Sequence, residues 1–298
     1  MTRWVIIGAG YTGERVARLL CTRGDDVTVT RRTTEGAAAA ALSTGARGVA
    51  VDLATATIDE VATMIGRGGT GAVIAVTAPP SDPDGAAEER LAAAALRAGA
   101  HRLVYVSSTG VYAAASGAWV DEDFAIAPIT AAGRARLAAE TALAAGPVPC
   151  VRLRAAGIHG PGRGVLARLR AGTYRIVGPG DTQVSRVHVD DLAATVVLAG
   201  DAAAPGPVYN VADDDPCTSN QLAAAVAAEL HLPMPPSVPL EQVDAEIAAM
   251  FTADRKIDNR RLKRELAWEP RYPSWRMVLA DEVQVAVKAP DRARPGSG

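Results

Sequence analysis

Residues 4–13 read WVIIGAGYTG, and this run constrains the fold more than any other part of the chain. Four apolar residues lead directly into Gly8-x-Gly10-x-x-Gly13 and then into a helical stretch. That is the strand–turn–helix unit which opens a dinucleotide-binding fold. Gly8 permits the tight turn, Gly10 lets the backbone approach a pyrophosphate, and Gly13 lets helix and strand pack closely. The helix that follows presents free amides and a positive dipole end to the phosphates, and Tyr11 and Thr12 belong to the same expected contact. A second strand follows at the right distance, which separates this pattern from a bare glycine-rich turn.

The first half continues in the same alternation. Strands are expected at 4–7, 27–30, 48–51, 72–76, 103–106 and 150–153, with helices at 12–21, 58–65, 86–98 and 133–144. Nearly every expected strand is continuously apolar, so both of its faces are covered. The fold class is therefore α/β: a doubly wound parallel (Rossmann) sheet with a smaller, interleaved C-terminal substrate-side domain. The expected division gives 1–155 to the dinucleotide domain, with 181–212 returning to it. Residues 156–180 and 213–288 form the small domain, and 289–298 (APDRARPGSG) a disordered tail. Within the second half, 157–164 (GIHGPGRG) reads as a loop, followed by a helix to Arg170 and a strand at 174–177. A helix begins near Asp190, a strand returns at 208–211, and a helix spans 219–230. A Pro-rich link at 233–239 and a last helix after Pro273 complete the pattern.

Composition removes several function classes. A chain of 298 residues with 49% hydrophobic content buries a full core, and with 4% aromatics that core is built from Val, Leu, Ile and Ala. A net charge of −2 offers no general attraction to nucleic acid or to an anionic membrane. Cys21, Cys150 and Cys217 show no metal-ligand spacing, and no metal is expected. Their usage fits a reducing cytoplasm. The first apolar residues are already a strand rather than a secretory signal, and no stretch approaches a membrane span.

The end of the second strand chooses between cofactors. An acidic residue there holds ribose hydroxyls, whereas arginine suits a 2′-phosphate. This strand ends Val29-Thr30-Arg31-Arg32, so NADP is expected over NAD, with Arg31 and Arg32 as the clamp. Asp52 and Leu53, after the third strand, are expected beside the adenine. Thr77 and Ala78, before Pro79, are expected under the cofactor ribose.

Further on, residues 104–112 (VYVSSTGVY), WVDE, GRARLAAE, RLRAAGIHGPGR, SRVHVDDLA, VYNVADD and RRLKRELAW follow one another in order. Together they resemble the short-chain dehydrogenase/reductase superfamily in its atypical, NAD-dependent epimerase/dehydratase-like branch, and within that the bacterial YeeZ-like group. The resemblance implies a Ser or Thr, a Tyr and a Lys acting together on a substrate oxygen. It places Ser108 at the hydroxyl position, with Thr109 as a stand-in on the substrate side. It also places Ala132 where the tyrosine belongs and Arg136 where the lysine belongs. Alanine donates no proton. Arginine binds a ribose hydroxyl and carries charge, but does not act as a general base.

Another group, or water, must then supply the proton. The candidates are Tyr112, at the end of the serine segment, and His159, in the loop where relatives carry a tyrosine. His188 is weighed against a local structural role, with Asp190 capping the next helix. Arg154 and Arg186 are weighed as substrate-facing arginines against an ion pair joining the domains. Trp119 to Asp123 reads as a turn whose tryptophan packs on the sheet. The leading expectation is an NADP-dependent oxidoreductase acting on a small polar carbonyl- or imine-type metabolite. A sugar-nucleotide epimerase/dehydratase and a non-catalytic NADP sensor are the alternatives. The resemblance leaves a homodimer open.

Overall fold

Seven parallel strands form the central sheet: β1 (Arg3–Ile7), β2 (Asp26–Arg31), β3 (Arg47–Ala50), β4 (Val73–Val76), β5 (Arg102–Ser108), β6 (Cys150–Ala155) and β7 (Val208–Val211). Their spatial order is β7-β6-β5-β4-β1-β2-β3. The computed structural model describes residues 1–204 and 206–288, and the expected tail at 289–298 lies outside them. Helices α1 (Gly13–Arg23), α2 (Thr34–Thr44), α3 (Ile58–Gly66), α4 (Ala86–Arg97) and α5 (Ala131–Ala145) connect the first strands. After β6 come α6 (Val165–Arg170), α7 (Val189–Ala202), α8 (Ser219–Glu229), α9 (Ala245–Phe251), α10 (Arg260–Leu266) and α11 (Trp275–Lys288).

Alternation along each strand divides the core in two. Trp4 and Ile6 point into a cluster shared with Val16 and Leu20 of α1, Ala40 of α2 and Leu192 and Val196 of α7. Val5 and Ile7 point the other way, toward Val61 and Ile65 of α3, Leu91 of α4 and Leu143 of α5. Each such fully buried side chain contributes roughly 1.5–3 kcal/mol, which explains why the strands are apolar on both faces. The doubly wound expectation is met strand by strand.

Helix α2 was not expected. Its run Ala37 to Ala41 is apolar on every side and gives no helical periodicity. Alanine propensity and the Thr33 hydroxyl, which accepts the Gly36 N–H at 3.1 Å, account for it.

After β6 the chain builds a third cluster from Leu166 and Leu169 of α6, Leu222 and Val226 of α8, and Trp275 of α11. Short strand pairs stitch this part together. Gly157–His159 runs parallel to Arg186–His188, and Ile176–Val177 runs parallel to Ser237–Val238 inside the Pro-rich link. Trp119–Val120 pairs with Lys256–Ile257. Here the structure corrects the turn expected at 119–123: Trp119 is 53% exposed and meets Lys256, and Val120 is the residue that packs inward.

Candidate functional site

The strand order reverses between β1 and β4, and in open α/β sheets ligands bind outside the strand ends at such a point. Gly8 ends β1 there with φ +92°, and a Cβ on it would lie 2.6 Å from Ala78 Cβ. A Cβ on Gly13 would lie 2.5 Å from the Gly8 oxygen and 2.6 Å from Thr77 Oγ1. The Thr77 hydroxyl donates to that Gly8 oxygen at 2.7 Å, so β4 and the glycine loop hold each other. The protein itself therefore requires Gly8 and Gly13. Gly10 is different, because a Cβ there would meet only Arg31 Nη1, at 3.6 Å. At the one glycine expected to face a pyrophosphate, the backbone is therefore approached only by the far end of one side chain, at ordinary contact distance. The Thr12 side chain does not cap α1, whereas threonines cap α2, α3, α5 and α8. Tyr11 donates its hydroxyl to the Pro161 oxygen at 3.1 Å, tying the glycine loop to the turn after Gly157–His159. That segment is a strand where a loop was expected over 157–164.

The end of β2 is fixed beside these residues. The Thr30 hydroxyl accepts the Gly8 N–H at 3.1 Å, and the Thr30 carbonyl accepts the Ala9 N–H at 2.9 Å. The Arg31 and Arg32 side chains then emerge exposed, and neither guanidinium makes a hydrogen bond or ion pair among the described residues. Half-buried Asp52 accepts the Ala54 N–H at 3.1 Å, while Leu53 is buried and its carbonyl accepts from Arg90 at 2.9 Å.

A second group gathers at the ends of β4 and β5. Ser108 Oγ accepts the Gly110 N–H at 3.0 Å, which leaves the serine proton to donate elsewhere. Half-buried Thr109 lies in the same short turn, and its carbonyl accepts from Arg255 at 2.8 Å. Helix α5 packs so closely here that a Cβ on Gly133 would run into the Gly110 oxygen. Arg136 reaches from α5 across both strand ends. Its Nη1 donates to the Val106 oxygen at 2.7 Å, the Tyr105 hydroxyl at 3.2 Å and the Ala78 oxygen at 3.3 Å. Ala132 is exposed one turn before it. Ser108, Thr77 and Ala78 thus lie at neighbouring strand ends, with Arg136 of α5 reaching across them.

Two expected site residues stand elsewhere. Tyr112 is fully buried and donates to Asn210 Oδ1 at 2.7 Å, and burial pushes its phenol up to about 12. No substrate oxygen reaches it in this conformation. Arg154 is 5% exposed and donates to both carboxylate oxygens of Glu140, at 2.8–3.3 Å. That ion pair fastens β6 to α5 within the sheet half instead of joining two domains.

His159 and Arg186 do come together. The parallel pair Gly157–His159 and Arg186–His188 brings both to a cavity of about 180 Å3, with Leu166, Leu222, Val226 and Trp275 among its walls. His159 Nε2 is buried without a partner, and burial, with the charge of Arg186 nearby, pushes the imidazole down to about 3. It is neutral at ordinary pH. Arg186 is 9% exposed and donates to the Val184 oxygen at 3.0 Å and Cys217 Sγ at 3.2 Å. Its neighbour Asp213 is 2% exposed, keeps Oδ2 without a partner, and is pushed up to about 8 by burial. His188 has the structural role: its Nδ1 accepts the Asp190 N–H at 3.2 Å and caps α7, while Asp190 pairs with Arg15 at 3.0 Å.

Asp213 and Trp275 were missed at the sequence level. The only signal for Asp213 was an Asp213-Asp214-Asp215 run directly after a buried strand, which reads first as a solvated turn. Among the described residues no three potential ligands converge on a metal site, and no helix is long and apolar enough to cross a membrane.

Comparison with known proteins agrees with this fold. The profile of the NAD dependent epimerase/dehydratase family matches residues 4–212. A 3-diazoavenalumate denitrifying reductase from a Streptomyces species is 30% identical over 208 residues, covering 64% of this chain and 68% of that one. Protein YeeZ of Escherichia coli K12 is 30% identical over 219 residues, covering 71% of this chain and 77% of its own. The solved structure of a functionally unknown conserved protein from Silicibacter pomeroyi superposes with TM-score 0.81 at 30% identity, covering 96% of this chain and 99% of that one.

Proposed function

The chain belongs to the NAD dependent epimerase/dehydratase family, and from that premise we propose that it is an NADP-dependent oxidoreductase. Its substrate is a small carbonyl- or imine-type metabolite. The observation that carries the cofactor choice is the end of β2, where the exposed side chains of Arg31 and Arg32 have no partner among the described residues and no acid ends the strand to hold a ribose diol. The Gly10 backbone, approached only by the Arg31 guanidinium, and the start of α1 without a side-chain cap fit a pyrophosphate. In this reading residues 1–155 and 181–212 hold the cofactor in a reducing cytoplasm. Residues 156–180 and 213–288 supply the substrate side.

The nicotinamide, when bound, supplies the hydride. The residues of the chain govern where charge develops. Ser108 has its proton free to donate to the substrate oxygen, since its lone pair already serves Gly110. Arg136, locked by three oxygens at the strand ends, holds a fixed positive charge near that oxygen and binds a ribose hydroxyl. It does not exchange a proton. With Ala132 at the tyrosine position, Tyr112 sealed in the core and His159 neutral, the proton comes from water hydrogen-bonded near Ser108. A reductase among the relatives, the Streptomyces protein, supports reduction over epimerisation.

Loss of nicotinamide absorbance from NADPH across a panel of aldehydes, ketones, imines and diazo compounds tests the reading. Ser108→Ala is expected to lower kcat about 10²–10³-fold with NADPH affinity unchanged. No turnover with any of them would favour a non-catalytic NADP-binding role.

A further inference from the structure

The cavity beside the Gly157–His159 ribbon combines two features that are hard to reconcile in an empty protein interior. Its walls are apolar, with Leu166, Leu222 and Val226 around the Trp275 ring. Yet the polar groups set in those walls are unmatched: His159 Nε2 and Trp275 Nε1 are buried without partners. Arg186, nine-tenths buried, has no carboxylate within ion-pair distance among the described residues. Buried polar atoms are almost always paired, and a buried charge without a counter-charge is costly. Asp213, whose backbone N–H donates to the Arg186 carbonyl at 2.7 Å, does not relieve this, since burial outweighs the pull of Arg186 and favours its neutral form. Arg163 adds a second positive group to the lining, and no acidic side chain is among the lining residues.

The charged and indole groups ask for acceptors, and the imidazole can meet one. Arginine and the indole N–H only donate, and neutral histidine donates from one nitrogen. Size limits the ligand further. A cavity of about 150 Å3 in another protein admits benzene, so about 180 Å3 here admits one ring or its aliphatic equivalent with a short chain. Sites for larger ligands run to roughly 300–1,000 Å3, so the volume here is scaled to one ring.

We propose that this cavity binds a small organic monoanion, a carboxylate on a flat apolar body of one ring, with the carboxylate on Arg186 and the body against Trp275, Leu222 and Val226. As the identity of the substrate class this rests on the oxidoreductase reading; as a binding site it stands alone. It sets the chain apart from sugar-nucleotide enzymes of the same fold.

Calorimetric titration of the full chain with 3-phenylpropanoate and its neutral amide, 3-phenylpropanamide, tests the assignment. The acid is expected to bind saturably and at least about tenfold more tightly than the amide, the scale of a charge-assisted hydrogen bond. Arg186→Met is expected to erase that preference while NADPH affinity stays as in the wild type. Val226→Phe, which fills the cavity and leaves Arg186 in place, is expected to abolish binding of both. Equal binding of acid and amide, an unchanged preference in Arg186→Met, tighter binding of UDP-glucose, or no saturable binding of the acid would each overturn the proposal. NADPH titration of the same samples keeps the two ideas apart. Acid binding without NADPH binding removes the oxidoreductase reading alone, and NADPH binding without acid binding removes the ligand class alone.

Discussion

Around the cofactor crevice, the polar groups that position the glycine loop are matched to one another. Thr30 accepts from Gly8, Thr77 donates to Gly8, and Arg136 is held by three oxygens. Around the C-terminal cavity they are left over: His159, Trp275 and Asp213 each keep a buried atom without a partner. The first arrangement is a backbone device, in which close packing fixes a shape before any ligand arrives. The second is a side-chain device, in which desolvated donors are held ready and stability is given up to hold them. Substitutions should therefore behave differently in the two regions.

The largest effect is expected at Gly13. Gly13→Val drives a side chain into the Gly8 oxygen and Thr77, so fluorescence titration should detect no NADPH binding, and thermal melting should show a lower Tm. Retained affinity would mean the loop is not rigid in the way described. Next comes the buried pair in the sheet half. Arg154→Met strands the Glu140 carboxylate, at a cost of about 3–5 kcal/mol by denaturant unfolding. Adding Glu140→Leu should recover part of that loss, and failure to recover any would show that the pair is not the cause.

The cavity region should respond with the opposite sign. The folded chain holds a proton on Asp213 up to about pH 8, whereas an ordinary carboxylate loses it near 3.8. Keeping it costs stability that accumulates as pH rises between those values and then levels off, by at most about 1.4 kcal/mol per pH unit. Asp213→Asn is thus expected to raise Tm, and by more at about pH 8 than at about pH 5. A Tm that falls, or a gain independent of pH, would place the ionised form in the fold. The smallest change in stability is expected at Gly10. Gly10→Ala meets only the mobile end of Arg31 and should shift stability by less than about 0.5 kcal/mol, while still weakening NADPH. A large loss of stability there would erase the distinction drawn between Gly10 and Gly13.

The same division explains what the sequence revealed. In the sheet half, every strand but the edge strand β3 is buried on both faces, so apolar runs and glycine spacing located β1 to β6 within a few residues. Helix α2 escaped because alanine all round carries no period. The C-terminal part is held by two-residue strands that pair across long separations, such as Trp119–Val120 with Lys256–Ile257, and such pairs leave no pattern to read. The grouping of the candidate site was legible where it depends on backbone, in that Gly8, Gly10, Gly13, Thr77, Ser108 and Arg136 lie along one crevice. It was obscure where a side chain's direction depends on a distant partner. Nothing in VSSTGVY shows that the last tyrosine turns inward to Asn210, and nothing near Arg154 shows that Glu140 arrives from α5.

The central claim is that the end of β2 reads a 2′-phosphate, and titration of NADPH and NADH into the wild type and Arg31→Ala tests it most directly. The account predicts that the wild type binds NADPH more tightly. Arg31→Ala should weaken NADPH at least about tenfold, the loss expected of a charge-assisted hydrogen bond, while NADH affinity hardly changes. Equal losses for the two cofactors, or a wild type that prefers NADH, would contradict it.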